Sequence, residues 1–196
     1  MIAALFLLLA CSSGDEPASE TAPVSPPATA SEVPDTSLYQ LPSVLVDQHG
    51  QSVGLDVHEG HPTIVGMFYA SCPMACPLMI QDLSSVEARL DPAERAKLRV
   101  LLISLQPEVD SPQTLTKVVE THGLDQTRWR LTRPEPEDVR HIAAVLGIQY
   151  RPLADGEMHH TTVLTLVDAQ GAPVTTTSQV RKDGDRFVAA IRETLQ

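Results

Sequence analysis

The chain has 196 residues, with 14 basic against 25 acidic side chains and a formal net charge of −11. That length fits one domain with appendages. The acidic balance excludes nucleic acid as a partner, because neutralising phosphates needs clustered Lys and Arg, and it excludes electrostatic docking on anionic lipid.

The N-terminus reads MIAALFLLLACSSGDEP. Ile2 to Ala10 is an unbroken apolar run, far short of the roughly 20 residues a spanning helix needs and suited to the apolar region of a secretory signal. No Lys or Arg precedes it. The run ends in Leu8-Leu9-Ala10-Cys11, which resembles the lipobox of bacterial lipoproteins. The resemblance implies that residues 1–11 are a lipoprotein signal ending at a lipidated Cys11. It places the protein on the periplasmic side of a bacterial cell envelope, held to the membrane by a lipid anchor. The plainer alternative makes Cys11 an ordinary residue of a cleaved signal. Residues 12–37 carry five prolines among Ser, Thr, Ala and Glu. They offer almost nothing to a core and read as a disordered Pro/Ser/Ala-rich tether. Thiols exported in this way are liable to oxidise.

Residues 38–196 form the globular part, long enough to bury a core without staples. SVLVD, HG and QSVGLDV read as strand, turn and strand. PTIVGMFYA is an apolar run suited to the centre of a sheet, and it leads straight into Cys72. After Pro77, residues Met79, Leu83, Val86 and Leu90 recur at helical spacing. LRVLLISL is a second buried strand. Ser111-Pro112 opens a helix with Leu115, Val118 and Val119 on one face. Val139, Ile142, Ala143 and Leu146 mark another, stopped by Gly147. HTTVLTLVD reads as one strand, DAQG as a turn and APVTTTS as its hairpin partner. Phe187, Val188, Ile191 and Leu195 give a final amphipathic helix. This order predicts an α/β thioredoxin-like fold, with a central mixed sheet flanked by helices and an N-terminal hairpin extension. The cysteine pair then lies at the carboxyl end of a central strand, where open α/β sheets place their chemistry.

Cys72 and Cys76 sit in YASCPMACPLMI, each followed by proline. Pro77 disfavours helical geometry at Cys76 and is welcome as a first helical residue, which predicts Cys76 at the helix N-cap and Cys72 in the loop before it. Free N–H groups and the partial positive charge of a helix start favour thiolate. Three uses stay open: an inert disulfide or buried thiol pair, a redox couple, or two soft metal ligands that need a third. The chain has seven histidines. His141 falls on a predicted surface helix, and His49 and His58 fall at turns. His160 opens a predicted strand after a loop that, in a thioredoxin fold, approaches the cysteines. Alternation along that strand should point His159 and His160 opposite ways.

FYASCPMACPLM, LLISLQPEVDSPQTL and HTTVLTLVDAQG, in this order, resemble the SCO/SenC copper-binding proteins over most of residues 40–196. The resemblance implies copper bound by Cys72, Cys76 and His160, a redox-active Cys72–Cys76 pair able to form a disulfide, and service to the dinuclear copper centre of cytochrome c oxidase. The implied function is that of an extracytoplasmic copper chaperone, a metallochaperone more than an enzyme. It would act as a monomer that delivers copper to the oxidase subunit or to another cuproprotein. A thiol-disulfide reductase that keeps the target's cysteines reduced is the first alternative, and a copper sensor or buffer the second. Two positions depart from the pattern: His159 and Gln106 stand where the family usually carries acidic residues. Cu(I) tolerates an S₂N site, whereas Cu(II) would want a fourth ligand. Met74, inside the loop, is a soft candidate, although methionine more often packs. Zinc could use the same three residues, but no acid/base group accompanies them for hydrolysis.

Overall fold

The apolar runs become a seven-stranded mixed sheet with helices on both faces. The structure is a computed structural model that describes residues 36–154 and 157–196. In chain order the elements are β1 (Leu45–Asp47), β2 (Ser52–Val53), β3 (Thr63–Phe68), α1 (Ala75–Ala88), α2 (Pro92–Lys97), β4 (Arg99–Ser104), α3 (Pro112–His122), β5 (Trp129–Pro134), α4 (Asp138–Val145), β6 (Tyr150–Pro152), β7 (Met158–His160), β8 (Leu164–Val167), β9 (Pro173–Thr177) and α5 (Val180–Thr194). The sheet order is β2-β1-β5-β4-β3-β8-β9. Strands β3, β4 and β5 run parallel, while β1 and β8 join antiparallel on either side. The described residues include no helix long and apolar enough to cross a membrane.

Strand β3 is buried along its whole length. Its side chains alternate between two cores, as a pleated strand requires. Ile64 and Phe68 pack with Met79 and Leu83 of α1, Leu115 of α3 and Phe187 of α5. Val65 and Met67 pack with Val139 and Ile142 of α4 on the opposite face. Gly66 lies between them, paired with Leu164 of β8. A Cβ there would meet Leu164 Cδ2 at 2.8 Å, so the missing side chain makes room for the Leu164 side chain.

Most predicted elements are present, and three differences have physical reasons. Helix α2 was not anticipated, although Asp91 and Glu94 make a reciprocal capping box with Pro92 in the first turn. Six residues with no buried side chain give no apolar period to read. Strand β5 was also missed, because WRLTRP mixes arginines into its buried run. The predicted strand HTTVLTLVD is two strands, β7 and β8, and only β8 belongs to the main sheet. Thr161 breaks the run: its N–H donates to the Gln149 carbonyl at 2.9 Å, and its hydroxyl accepts from the Gln149 N–H at 3.0 Å. His160 therefore ends a separate two-stranded ribbon rather than opening a central strand.

At the other end of β3, His58 lies in a turn, as expected, but its side chain is buried. One ring nitrogen bonds the Val100 backbone, and Nε2 has no hydrogen-bond partner. Burial, reinforced by the charges of Arg99 and Arg130, pushes its pKa down to about 4. The expected signal, with its lipidated Cys11, and the expected tether up to residue 35 lie outside the described residues.

Candidate functional site

The cysteine pair sits where β3 ends and α1 begins. Helix α1 buries Cys76, Met79, Ile80, Leu83, Val86 and Glu87, an i, i+3, i+4, i+7 stripe. Cys76 is thus the first residue of the face that α1 turns to the core. This corrects the expected cap position: Met74 is the N-cap, Cys76 lies inside the first turn and Pro77 follows it there. A proline at that place costs little, because its missing N–H would have had no helical partner anyway. Cys72, in the loop, receives what the helix start offers, since the Cys76 N–H donates to Cys72 Sγ at 3.3 Å.

The shift of the helix start divides the two thiols. Burial tends to raise Cys72, but it accepts hydrogen bonds from the Cys76 and Met74 backbones, the Tyr69 hydroxyl and the Cys76 thiol. Together these hold the Cys72 thiol below its ordinary range. Cys76 goes the other way. Burial pushes it well up, and negative charge on Cys72 and Asp110 adds to the rise, against one backbone bond from the Tyr69 N–H at 3.5 Å. Helix-start electrostatics thus favour thiolate at Cys72 and not at Cys76. Both cysteines are free thiols in this structure.

His160 reaches the same place from the ribbon of β6 and β7, which pair antiparallel with Tyr150 opposite His160. A cavity of about 250 Å³ is lined by Tyr69, Cys72, Met74, Met158, His159 and His160, among others. His160 is half-buried and His159 exposed, the alternation expected of neighbours on a strand. His160 Nδ1 lies 3.2 Å from the Thr161 carbonyl. A proton on Nδ1 would bond that carbonyl and leave Nε2 as the lone-pair atom, the usual arrangement of a metal-ligating histidine. Burial lowers the His160 pKa, the Thr161 carbonyl opposes this, and His159 reinforces it. The imidazole is accordingly neutral at neutral pH, the state a metal ligand needs.

The structure brings Cys72 and Cys76 into direct contact. It sets His160 on their cavity, but its ring stacks edge-on against Tyr69, with centroids 5.9 Å apart and planes at 75°. Among the described residues, no three His, Cys, Asp or Glu side chains are drawn together closely enough to hold a metal ion. Met74 lines the cavity at 69% exposure, so it is not core filler. His141 is exposed on α4, as expected, and His49 lies in the exposed β1–β2 turn.

Two residues of the site escaped the sequence reading. Tyr69 follows β3 directly; burial, with the neighbouring Cys72, pushes its pKa up to about 12 against the opposing Met158 backbone. Asp110 is buried behind the cysteine loop. One of its oxygens accepts from the Ala70 N–H at 3.1 Å and from the Ser104 hydroxyl at 2.5 Å. Burial raises its pKa against both bonds and the charge of Arg133. Nothing local in the sequence marks Asp110, because its partner Ala70 lies 40 residues away. Gln106 accepts from the Ser71 hydroxyl at 3.3 Å, next to Cys72.

The SCO1/SenC family profile matches residues 32–196. Among relatives, the SCO1 protein homolog of Bacillus subtilis (strain 168) is 24% identical over 144 residues, covering 71% of this chain and 74% of that protein. Among solved structures, Arabidopsis thaliana ScoI with copper bound superposes with a TM-score of 0.67 at 21% identity, covering 76% of this chain and 96% of that one. BsSco, a member of the Sco family of cytochrome c oxidase assembly proteins in which a disulfide switch was identified, gives 0.68 at 19% identity, covering 81% and 95%. At such identities the structural likeness shows the shared thioredoxin-like fold.

Proposed function

Since the chain belongs to the SCO1/SenC family, we propose that it is an extracytoplasmic copper metallochaperone that holds its cargo through Cys72, Cys76 and His160. The observation that carries this reading is the shared cavity, onto which a low-pKa thiol and a neutral imidazole both open, with a second thiol in contact. Two sulfurs and one nitrogen suit Cu(I), which is soft and accepts low coordination numbers. Cys76, protonated when the site is free, must release its proton as the cargo binds, so uptake is linked to pH. Relatives bearing copper, and one described through cytochrome c oxidase assembly, support delivery to the oxidase subunit with the dinuclear copper centre. The lipobox-like Cys11 supports a lipid anchor that holds the domain at the membrane where that subunit lies.

The deciding experiment is an anaerobic Cu(I) titration of the reduced protein, of its disulfide form, and of His160→Ala and His159→Ala. One copper per reduced chain is expected, with none on the disulfide. His160→Ala should weaken binding by about 100-fold or more, near 3 kcal/mol, and His159→Ala by less than about threefold. Equal losses for the two would overturn the ligand assignment, and no binding to the reduced protein would overturn the function.

A second reading is favoured by the unequal thiols. A low-pKa Cys72 beside a protonated Cys76 is the pairing of an attacking and a resolving thiol. On this reading the protein reduces the target's cysteines so that copper can enter. His160→Ala separates the two: it should abolish copper delivery while leaving disulfide exchange largely intact.

A further inference from the structure

Each cysteine is addressed by one peptide unit at the end of β3, and the loop after β4 holds both units at their far ends. The Phe68–Tyr69 unit gives its N–H to Cys76 Sγ at 3.5 Å, and its carbonyl accepts from the Leu105 N–H at 2.7 Å. The Tyr69–Ala70 unit takes the Cys72 N–H on its carbonyl at 3.2 Å, and its own N–H donates to Asp110 Oδ2 at 3.1 Å. A peptide unit is planar, so fixing its N–H fixes the direction of its carbonyl. The first unit is gripped by backbone. The second is gripped by a side chain, that of Asp110.

Asp110 is itself held in place. It is 1% exposed, and the oxygen that accepts from Ala70 also accepts from the Ser104 hydroxyl at 2.5 Å. The Gln106 N–H can only donate, so it gives its proton to Ser104 Oγ at 2.9 Å, and the serine proton is left for the carboxylate. Gln106 Oε1 in turn accepts from the Ser71 hydroxyl at 3.3 Å. The bonds thus run from Ala70 through Asp110, Ser104 and Gln106 back to Ser71, and Cys72 is the next residue. Burying a carboxylate is costly unless its bonds are made, and one of the two donors here belongs to the cysteine loop.

We propose that Asp110 is a positioning residue: by holding the Tyr69–Ala70 peptide it sets where the Cys72 backbone, and with it the Cys72 sulfur, stands relative to Cys76, and so how tightly Cu(I) is held. The copper half of this statement rests on the function proposed above. The grip on the peptide is a property of the copper-free protein.

The test uses Asp110→Ala and Asp110→Asn in the full chain, with two readouts. Alanine removes the acceptor, whereas asparagine removes the charge and keeps an oxygen able to take both bonds. In the reduced, copper-free Asp110→Ala protein, the Cys72 amide should exchange with solvent at least about tenfold faster, while the Leu105 amide, bonded to Phe68, stays as it was. By Cu(I) competition, affinity should fall by about 10- to 100-fold, the range seen when a group that orients a metal ligand is removed. Asp110→Asn should restore both readouts to within about threefold of the wild type, a rescue that separates the held peptide from the buried charge. Faster Cys72 exchange with unchanged copper affinity would overturn the proposal, leaving Asp110 as a support of the loop only. Weaker copper binding with Cys72 protection intact would also overturn it, because the effect would not run through the peptide. Equal copper losses in the two variants would overturn it in favour of the charge. Should Asp110→Ala fail to fold, Asp110→Asn decides: wild-type affinity and protection are expected, and a tenfold loss of affinity with the Cys72 amide still protected would sink the idea. If the wild type takes up no Cu(I), the proposed function falls and the copper half with it, and the Cys72 amide alone decides whether Asp110 holds the peptide.

Discussion

The two arms of the site are built on opposite plans. The cysteine arm grows out of the most buried part of the molecule. Strand β3 has partners on both sides, α1 presses its apolar stripe beneath, and Asp110 ties the loop through Ala70. The histidine arm is a ribbon of two three-residue strands with one half-buried and two exposed positions in β6. It is tied at its base by the Gln149–Thr161 bonds, and its His160 ring leans edge-on against Tyr69. The difference separates two jobs. A rigid pair of sulfurs fixes the chemistry of the thiols, while a lightly held imidazole can arrive and depart. On the proposed copper-carrying function, a weakly held third ligand would ease release.

The widest gap between the arms should appear in hydrogen exchange. Amides in β3 and β4 should open only with global unfolding, on the order of 5–15 kcal/mol for a domain, whereas β6 and β7 should open locally at least about 5 kcal/mol more easily. Equal protection in the two regions would erase the distinction. The rooted side should also show an acid weakness at its far end. The pKa of His58 is near 4 in the fold against 6.5 when unfolded. The unfolded chain therefore binds the proton first as pH falls. The His58 contribution is complete above pH 6.5 and is lost as pH falls towards 4, by about 3 kcal/mol in all. Urea denaturation across that window should show the loss, and His58→Gln should flatten it; an unchanged slope in the variant would acquit His58. The third effect is smaller. Asp110→Ala leaves the Ala70 N–H and the Ser104 hydroxyl without their buried acceptor, at a cost of about 2 kcal/mol in global stability. Measured by the same denaturation, a loss below about 0.5 kcal/mol would mean that the cysteine loop is rooted elsewhere.

The sequence made one arm far more legible than the other. PTIVGMFYA followed by two prolines announces a buried strand, a turn and a helix, because local residue types enforce each of these. The exact helix start was less legible. Pro77 is compatible with the first position and with any other place in the first turn, and only the burial of Cys76 decides between them. That two-residue difference reverses which thiol the helix favours. HTTVLTLVD was misread because threonine suits strands as well as crossings, and its break depends on Gln149, which pairs with Thr161 only in three dimensions. Tyr69 and Asp110 were invisible for the same reason: each acts on a partner brought from elsewhere in the chain. The proposed ligand set came from motif resemblance, not from periodicity, and the alternation of His159 and His160 was the one part of the histidine arm that strand geometry supplied in advance.

Gly66 has no side chain and takes no part in the chemistry, yet it works as a spacer gauge. It lies two residues before Phe68 on the strand that delivers the cysteines, and it faces Leu164, four residues after His160. Any atom added there strikes Leu164 Cδ2 at 2.8 Å. The Leu164 side chain would have to turn aside within a filled core, at about 1–3 kcal/mol for overpacking, on the strand that follows the segment ending in His160. The packing of the strand pair under the site thus depends on a side chain that is absent. A larger residue at this position would leave Cys72, Cys76 and His160 untouched, and the fault would lie in core packing, at a place that inspection of those three alone would pass as sound.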